Sequence, residues 1–231
     1  MITMRQVLLF SVTACLALFF QSCVDSTESN LEQVRSLLDQ ARYEEAEALA
    51  STLYNEDPTN LEAKYFLAEA SLANGALSGN PNCPAGDVGL LGLLACIQDP
   101  AGAGETEFET FRKIAPSSEE KIAKVETATN LLAELAVSEI SSQNIYLLLF
   151  LSRLFEIAGS TTRVGSDCSV NLTAEQEARF SENLDVLPSD GNGAGLPSDL
   201  GLYNKLDTVK TALEVSASND FPTFFTNELC S

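Results

Sequence analysis

Cysteine is the residue type in this sequence whose possible chemistry is clearest. The chain has six cysteines and no histidine among its 231 residues. Because no imidazole is present, Ser-His-Asp catalysis, Cys-His catalysis and histidine-containing zinc sites are excluded. Acid–base chemistry would have to use carboxylates, tyrosine or lysine. We therefore expect the cysteines to attach and cross-link the chain, and we predict no catalytic residue, no metal site and no cofactor.

Carboxylates are the second group that could do chemistry. Adjacent acids such as Glu44 and Glu45 fall on faces predicted to be exposed and have no partner base, so they are interpreted as solvated surface. The segment 188–195 carries Asp190 in a spacing that resembles the start of a calcium loop, but Gly201 stands where an EF-hand needs a bidentate glutamate. We predict a flexible loop there, without a metal.

The N-terminus has the organisation of an export signal. Arg5 provides a positive charge, and residues 7–20 form an apolar stretch interrupted by Ser11 and Thr13. A helix that spans a membrane needs about 20 apolar residues, whereas a stretch of this length is typical of a signal peptide. We predict a signal peptide over 1–22, followed by a polar tether over 23–30.

The junction Phe20-Gln21-Ser22-Cys23 resembles a bacterial lipobox, in which a small residue precedes a lipidated cysteine. The resemblance implies lipid attachment at Cys23, although Phe20 replaces the usual leucine. Cys15 is an alternative with a closer match, but it would leave the apolar residues 16–20 on the mature protein. An ordinary cleaved signal is a third possibility. Val24 does not match the inner-membrane retention signal, so the resemblance implies an outer-membrane lipoprotein facing the periplasm.

Four cysteines remain after the leader and the anchor. In an oxidising compartment they predict two disulfides, with three possible pairings. The favoured pairing joins Cys83 to Cys96 and Cys168 to Cys230. A four-thiolate metal site is the alternative, but the sequence has no C-x-x-C pair.

The charge balance limits the possible partners. The chain has 13 lysines and arginines against 33 aspartates and glutamates. Such a surface repels phosphate backbones and anionic lipid headgroups. We therefore predict no nucleic-acid binding, and membrane attachment through the lipid anchor alone.

Hydrophobic periodicity predicts an all-α fold. Leu31, Val34, Leu37 and Leu38 share one face of a first helix. Further helices are predicted along the chain, which we interpret as a single α-helical domain over 31–231. Gly75 is predicted to end the third helix.

The stretch from Ala41 to Ala46, Ala-Arg-Tyr-Glu-Glu-Ala, and the later Asp57-Pro58 resemble the turn, second helix and closing turn of a tetratricopeptide repeat. The resemblance covers about residues 27–75. It implies antiparallel helical hairpins in a right-handed superhelical or compact α-α array, with small packing residues that let the helices approach closely. The residues assigned to repeat packing are Ala46, Ala50, Leu53, Pro58, Leu67 and Ala68.

Two later features complete the prediction. The stretch Ser117-Ser118-Glu119-Glu120 has the pattern of a helix N-cap region, and Thr173 with Gln176 has the pattern of a capping box. Residues 145–158 are apolar nearly all round, which is typical of a central core helix, with an apolar groove for a lipid or peptide as the alternative.

These observations lead to two functional hypotheses. The first is a non-enzymatic lipoprotein that binds an envelope protein or an extended peptide as a scaffold or accessory subunit of an assembly or transport complex. The second is a carrier that holds a lipid or hydrophobic ligand in a dry cavity lined by 145–158.

Overall fold

A computed structural model describes residues 26–78, 107–165, 169–198, 201–215, 221 and 223–225 of the chain. The secondary structure of this part is helical, apart from one isolated bridge between Val164 and Val170. The all-α prediction is confirmed. The helices are α1 (Ser26–Asp39), α2 (Tyr43–Glu56), α3 (Leu61–Ala76), α4 (Glu107–Ile114), α5 (Glu119–Ala136), α6 (Gln143–Thr162), α7 (Ala174–Gly193) and α8 (Gly201–Val215).

Local side-chain capping explains where several helices begin. Asn60 accepts hydrogen bonds from the backbone N–H groups of Glu62 and Ala63 at the start of α3. Ser118 caps α5 in the same way, and Thr173 forms a reciprocal capping box with Gln176 at the start of α7. These caps satisfy N–H groups that have no partner inside the helix. The predicted caps at Ser118 and Thr173 are confirmed.

The helices are arranged in two layers. In the first layer α1 packs against α3, and α3 packs against α6. In the second layer α2 lies between α1 and α3, α5 between α3 and α6, and α7 between α6 and α8. The pairs α1–α2, α3–α5 and α6–α7 are thus successive hairpins of one array, and α8 packs against α7. Residues 77–118 separate the two helices of the second hairpin.

Helix α6 is the centre of the larger hydrophobic core. It contacts α3, α4, α5 and α7, which explains why it is apolar on nearly every side. It is long and apolar enough to cross a membrane, but 78% of its most apolar window is buried inside the protein. The core interpretation of residues 145–158 is therefore confirmed.

A second core lies within the first three helices. It includes the α1 residues Leu31, Val34, Leu37 and Leu38, as predicted, and the packed faces of α2 and α3. Helix α3 contributes to both cores, with Phe66 in the smaller one and Leu72 in the larger. The two cores are therefore continuous through α3.

The prediction that Gly75 ends α3 is wrong. The helix continues to Ala76, and Gly75 lies against α5. A Cβ atom at Gly75 would be 2.7 Å from both the Lys121 backbone oxygen and Val125 Cγ2. Glycine is present because the two helices approach closely, a reason that sequence periodicity alone does not reveal.

The predicted flexible loop at 188–195 is mostly helical. Helix α7 continues through Pro188 to Gly193, and the chain turns at Gly195, whose φ is +73°. Gly191 lies against Tyr203, and Gly193 lies against Tyr146. Tertiary contacts to these two glycines outweigh the low helix propensity of proline and glycine.

One boundary prediction also differs from the structure. Helix α1 begins at Ser26, so positions 26–30 of the predicted tether are helical. Val137 and Ile140 follow the end of α5 and are large hydrophobic residues that are 87% and 38% exposed.

Candidate functional site

The residues assigned to repeat packing lie where the hairpin helices meet. Ala46, Ala50 and Ala68 are fully buried, and Leu53 and Leu67 are nearly so. Pro58 lies in the exposed turn between α2 and α3, as expected for a residue that prevents helix continuation. Alanine at three of these positions allows the helix backbones to approach closely.

A polar cluster joins α2, α3 and α5. Glu47 accepts hydrogen bonds from Ser71 (3.1 Å), Asn74 (2.6 Å) and Lys124 (2.7 Å). Lys121 donates to the side-chain and backbone oxygens of Asn74 at 2.7 and 3.0 Å. Burial and the neighbouring Lys124 lower the pKa of Lys121. Because each member has partners from another helix, the cluster fixes the register of the three helices.

A second polar cluster joins α6 to α7. The Glu156 carboxylate accepts hydrogen bonds from Arg179 at 2.8 and 3.2 Å and from Asn183 at 2.8 Å. Asn183 accepts from Arg153 at 2.7 Å, and Arg153 forms an ion pair with Asp190 at 2.8 Å. Burial raises the pKa of Asp190, and the guanidinium of Arg153 opposes that rise. Glu156, Arg179 and Asn183 satisfy one another by hydrogen bonds, whereas Arg153 Nε and Asp190 Oδ2 are buried at ion-pair distance without forming a hydrogen bond. Because each charged group of the cluster faces an opposite charge or a hydrogen-bond partner, we interpret the cluster as structural.

The first-layer side of α1 is exposed and mostly acidic. Glu28, Glu32, Arg35 and Asp39 follow one another at intervals of three or four residues, so they form one stripe along the helix. Arg35 forms an ion pair with Glu32 at 2.7 Å. Its guanidinium also lies 5.3 Å from the centre of the Phe66 ring on α3. The stripe therefore runs along the edge of α1 that is next to α3.

A matching stripe runs along α3. Glu62, Tyr65 and Glu69 have the same helical spacing, and Glu62 is exposed while the other two are half-buried. The Tyr65 hydroxyl, and Arg35 and Asp39 on α1, are close enough to influence the Glu69 carboxylate. Burial raises the pKa of both Tyr65 and Glu69. We call the two stripes together the α1–α3 face.

The opposite side of α3 faces the second layer. Lys64 forms an ion pair with Glu134 of α5 at 2.7 Å and lies 5.8 Å from the ring centre of Tyr54 on α2. Lys64 therefore lies on the side of α3 that is opposite to the α1–α3 face. It does not neutralise the acidic stripes of that face.

The open surface of the first layer ends beyond the α1–α3 face. Residues 70–76 of α3 are all buried. Helix α4 packs against α6, where Phe111 and Ile114 join the larger core and Arg112 donates to the Val164 carbonyl at 3.5 Å. Exposed first-layer surface is therefore concentrated on α1 and the first half of α3.

A shallow cleft lies between α7 and α8. Its volume is about 310 Å³, and its lining includes Leu184, Pro188, Tyr203 and the ion pair between Asp185 and Lys210. Polar residues, among them Asn204 and Asp207, make up about half of its lining. It contains no arrangement of a nucleophile with a base among these residues.

The predicted cysteine sites lie outside the described residues. This applies to Cys23, to Cys15 and to the four disulfide candidates Cys83, Cys96, Cys168 and Cys230, which therefore stay predictions. Among the residues that the structure describes, no group of three cysteines, aspartates or glutamates is placed to hold a metal ion. Asp190 of the rejected calcium loop is paired with Arg153 instead.

Sequence reasoning missed the residues with the most informative surroundings. Glu47, Glu69 and Glu156 were not distinguished from the many exposed acids of this chain. One signal was available for Glu156, because a single acid within an otherwise apolar helix needs a buried partner. No comparable signal marks Glu69, whose surroundings depend on how α1 and α3 pack.

Comparison with known protein families agrees with the geometry of the first helices. Residues 37–79 match the sequence model of the tetratricopeptide repeat family. The match includes α2 and α3 and covers 43 of the chain's 231 residues. No curated protein and no solved structure matches the chain. The resemblance to a tetratricopeptide repeat is therefore confirmed for this segment, and the later hairpins continue the packing without a matching sequence.

Proposed function

Because the chain carries a tetratricopeptide-like repeat, we propose that it is a non-enzymatic scaffold that binds another protein through the α1–α3 face. Tetratricopeptide arrays form extended surfaces, and such surfaces bind proteins and peptides. The observation that carries the proposal is the exposed α1–α3 face on the first layer of the array, next to the matched segment 37–79.

The proposal also assigns a location to the scaffold. We propose that Cys23 carries a lipid and that the protein faces the periplasm from the outer membrane as part of an envelope assembly or transport complex. The support is the sequence of the leader, 1–22, and its junction with Cys23. Each buried methylene contributes about 0.8 kcal/mol, so two or more acyl chains would hold the protein at the membrane durably.

Site-specific photo-crosslinking in cells tests the binding function. A photo-reactive amino acid is placed at Glu62 on the α1–α3 face, and in a matched variant at Ala123, which is exposed on α5 in the second layer. We expect a discrete protein adduct from position 62 and a much weaker one from position 123. Equal adducts at both positions, or no protein adduct at position 62, would contradict the proposed scaffold.

Metabolic labelling with palmitate tests the anchor. We expect the wild-type protein to be labelled and membrane-bound, and the Cys23→Ser variant to lose both the label and the membrane fraction. A Cys15→Ser variant is the matched control and should retain both. Label that persists in Cys23→Ser would assign the lipid to another residue.

The carrier hypothesis receives less support. It required a dry cavity lined by 145–158, whereas the described side chains of that segment pack against the surrounding helices. The shallow cleft between α7 and α8 is elsewhere in the array.

A further inference from the structure

The α1–α3 face has a strong charge asymmetry. Acids occupy five of its seven positions, and Arg35 is its one base, so its formal charge is −4. The five acids are Glu28, Glu32, Asp39, Glu62 and Glu69. Arg35 is already engaged by Glu32 and by the Phe66 ring, so most of the negative charge is available to a partner.

The face also combines charge with an aromatic surface. Tyr65 is half-buried on the α1–α3 face, and its hydroxyl is close enough to the Glu69 carboxylate for each to affect the pKa of the other. An aromatic ring beside a carboxylate fits a cationic side chain well, because the cation can contact the ring and pair with the carboxylate. Guanidinium groups suit such a position better than ammonium groups, since they are planar and more weakly hydrated.

From this charge and shape we propose that the partner of the α1–α3 face is a basic, extended peptide segment, in which arginine or lysine side chains alternate with small residues. The inference rests on the proposed scaffold function and specifies its partner. Packed helix axes are about 8–10 Å apart, so two neighbouring helices present a surface about 20 Å wide. An extended chain advances about 3.3 Å per residue, which corresponds to a segment of about six residues.

The limits of the exposed surface support a short segment. Residues 70–76 of α3 are buried, and α4 packs against α6, so the first layer offers α1 and the first half of α3. Other acidic residues lie away from the α1–α3 face and can be changed as controls. Glu120 on α5 and Glu182 on α7 are exposed on second-layer helices, and these serve as matched controls for charge.

Fluorescence anisotropy with defined hexapeptides tests the inference. The full chain is expressed with its own leader, purified in detergent, and titrated into labelled peptides of alternating arginine and serine or alternating glutamate and serine. We expect the basic peptide to bind and the acidic peptide to show no binding. The double variant E62Q/E69Q should weaken binding of the basic peptide about tenfold, as expected for the loss of two charged contacts.

Two further variants separate the face from the overall charge of the protein. The E120Q/E182Q double variant has the same net charge as E62Q/E69Q and should bind the basic peptide as the wild type does. The Arg35→Gln variant removes the base of the face and should bind it a few-fold more tightly. Equal weakening by both double variants, or binding of the acidic peptide, would overturn the inference.

Failure of this inference can be distinguished from failure of the proposed function. Mass spectrometry of the adduct formed from position 62 identifies the partner segment that lies on the face. A basic segment supports the inference. An acidic or neutral segment overturns it and leaves the scaffold function intact, whereas the absence of any protein adduct overturns both.

Discussion

At the scale of single residues, Glu69 illustrates how an acid on the α1–α3 face affects the stability of the protein. Its carboxylate is half-buried between α1 and α3, and burial raises its pKa above the ordinary value. The nearby Tyr65 hydroxyl and the charge of Arg35 oppose that rise but do not cancel it. Ionisation of Glu69 is therefore less favourable in the folded chain than in the unfolded chain.

The first prediction concerns how the effect of Glu69 on the free energy of unfolding depends on pH. Because the folded-state pKa is raised, Glu69 lowers the free energy of unfolding once the pH rises above about 4.3, the ordinary glutamate pKa. We expect Glu69→Gln to raise Tm at pH 7, and we expect the difference from the wild type to shrink as the pH falls below 4. Thermal unfolding followed by circular dichroism at both pH values measures this.

The matched control is Glu62→Gln, which changes an exposed acid on the same helix. Its effect should stay within about 0.5 kcal/mol at either pH. A stabilisation by Glu69→Gln that is the same at pH 7 and pH 4 would show that charge burial is not its cause.

The second prediction concerns Glu156, which is 5% exposed within the most apolar helix. Glu156→Ala leaves Arg179 and Asn183 without the carboxylate to which both donate. Removing one member of a buried charged cluster is strongly destabilising, so we expect a loss of about 3 kcal/mol in urea unfolding. Glu182→Ala changes an exposed acid of α7 and should cost less than about 0.5 kcal/mol. A loss below about 1 kcal/mol for Glu156→Ala would argue against the cluster.

At the scale of helices, the structure separates what short-range patterns can predict from what they cannot. The caps at Ser118 and Thr173 depend on atoms two or three residues away, and they were predicted correctly. The roles of Gly75 and Gly193 depend on Lys121 and Tyr146, which are distant in sequence. Local sequence rules assign glycine to a turn or to the end of a helix. Both positions were therefore predicted to lie outside the helices in which the structure places them.

The third prediction tests the close approach of α3 and α5. Gly75→Ala places a Cβ 2.7 Å from the backbone oxygen of Lys121, which cannot move without shifting α5. We expect a loss of about 2 kcal/mol in the free energy of unfolding. Gly159→Ala is the comparison, because its Cβ would meet the Ile122 side chain at 3.1 Å and alanine has a higher helix propensity. That variant should be nearly neutral, and equal losses for the two variants would refute the distinction.

At the scale of the whole molecule, the array is longer than its sequence resemblance. The match to the repeat family covers 37–79, yet α5, α6 and α7 continue the alternation of layers. Residues 77–118 interrupt the second hairpin, and this interruption hides the continuation from any search for a fixed period. The α1–α3 face was not predictable for a related reason, since it depends on which edges of α1 and α3 meet.

The fourth prediction concerns cooperativity. Helix α3 contributes to both hydrophobic cores, so a change in one core should affect the stability of the other. We expect Leu53→Ala in the smaller core and Phe180→Ala in the larger core each to lower the free energy of unfolding by about 2–5 kcal/mol. Each variant should retain one transition that is the same by circular dichroism and by tyrosine fluorescence. A separate early transition in Leu53→Ala would show that α1 and α2 unfold independently.

The position of α1 at one end of the array determines how the protein would respond to mechanical force. Helix α1 packs mainly on α2 and α3, so tension applied at the N-terminal end acts first on that single helix. Its buried contacts are few, and its 14 residues would lengthen from about 1.5 to about 3.4 Å each as it unwinds. Peeling α1 away would separate one stripe of the α1–α3 face from the other. Tension at this end would therefore disrupt the α1–α3 face before it disturbs α6. Binding of a partner to that proposed surface would then decrease as the tension rises.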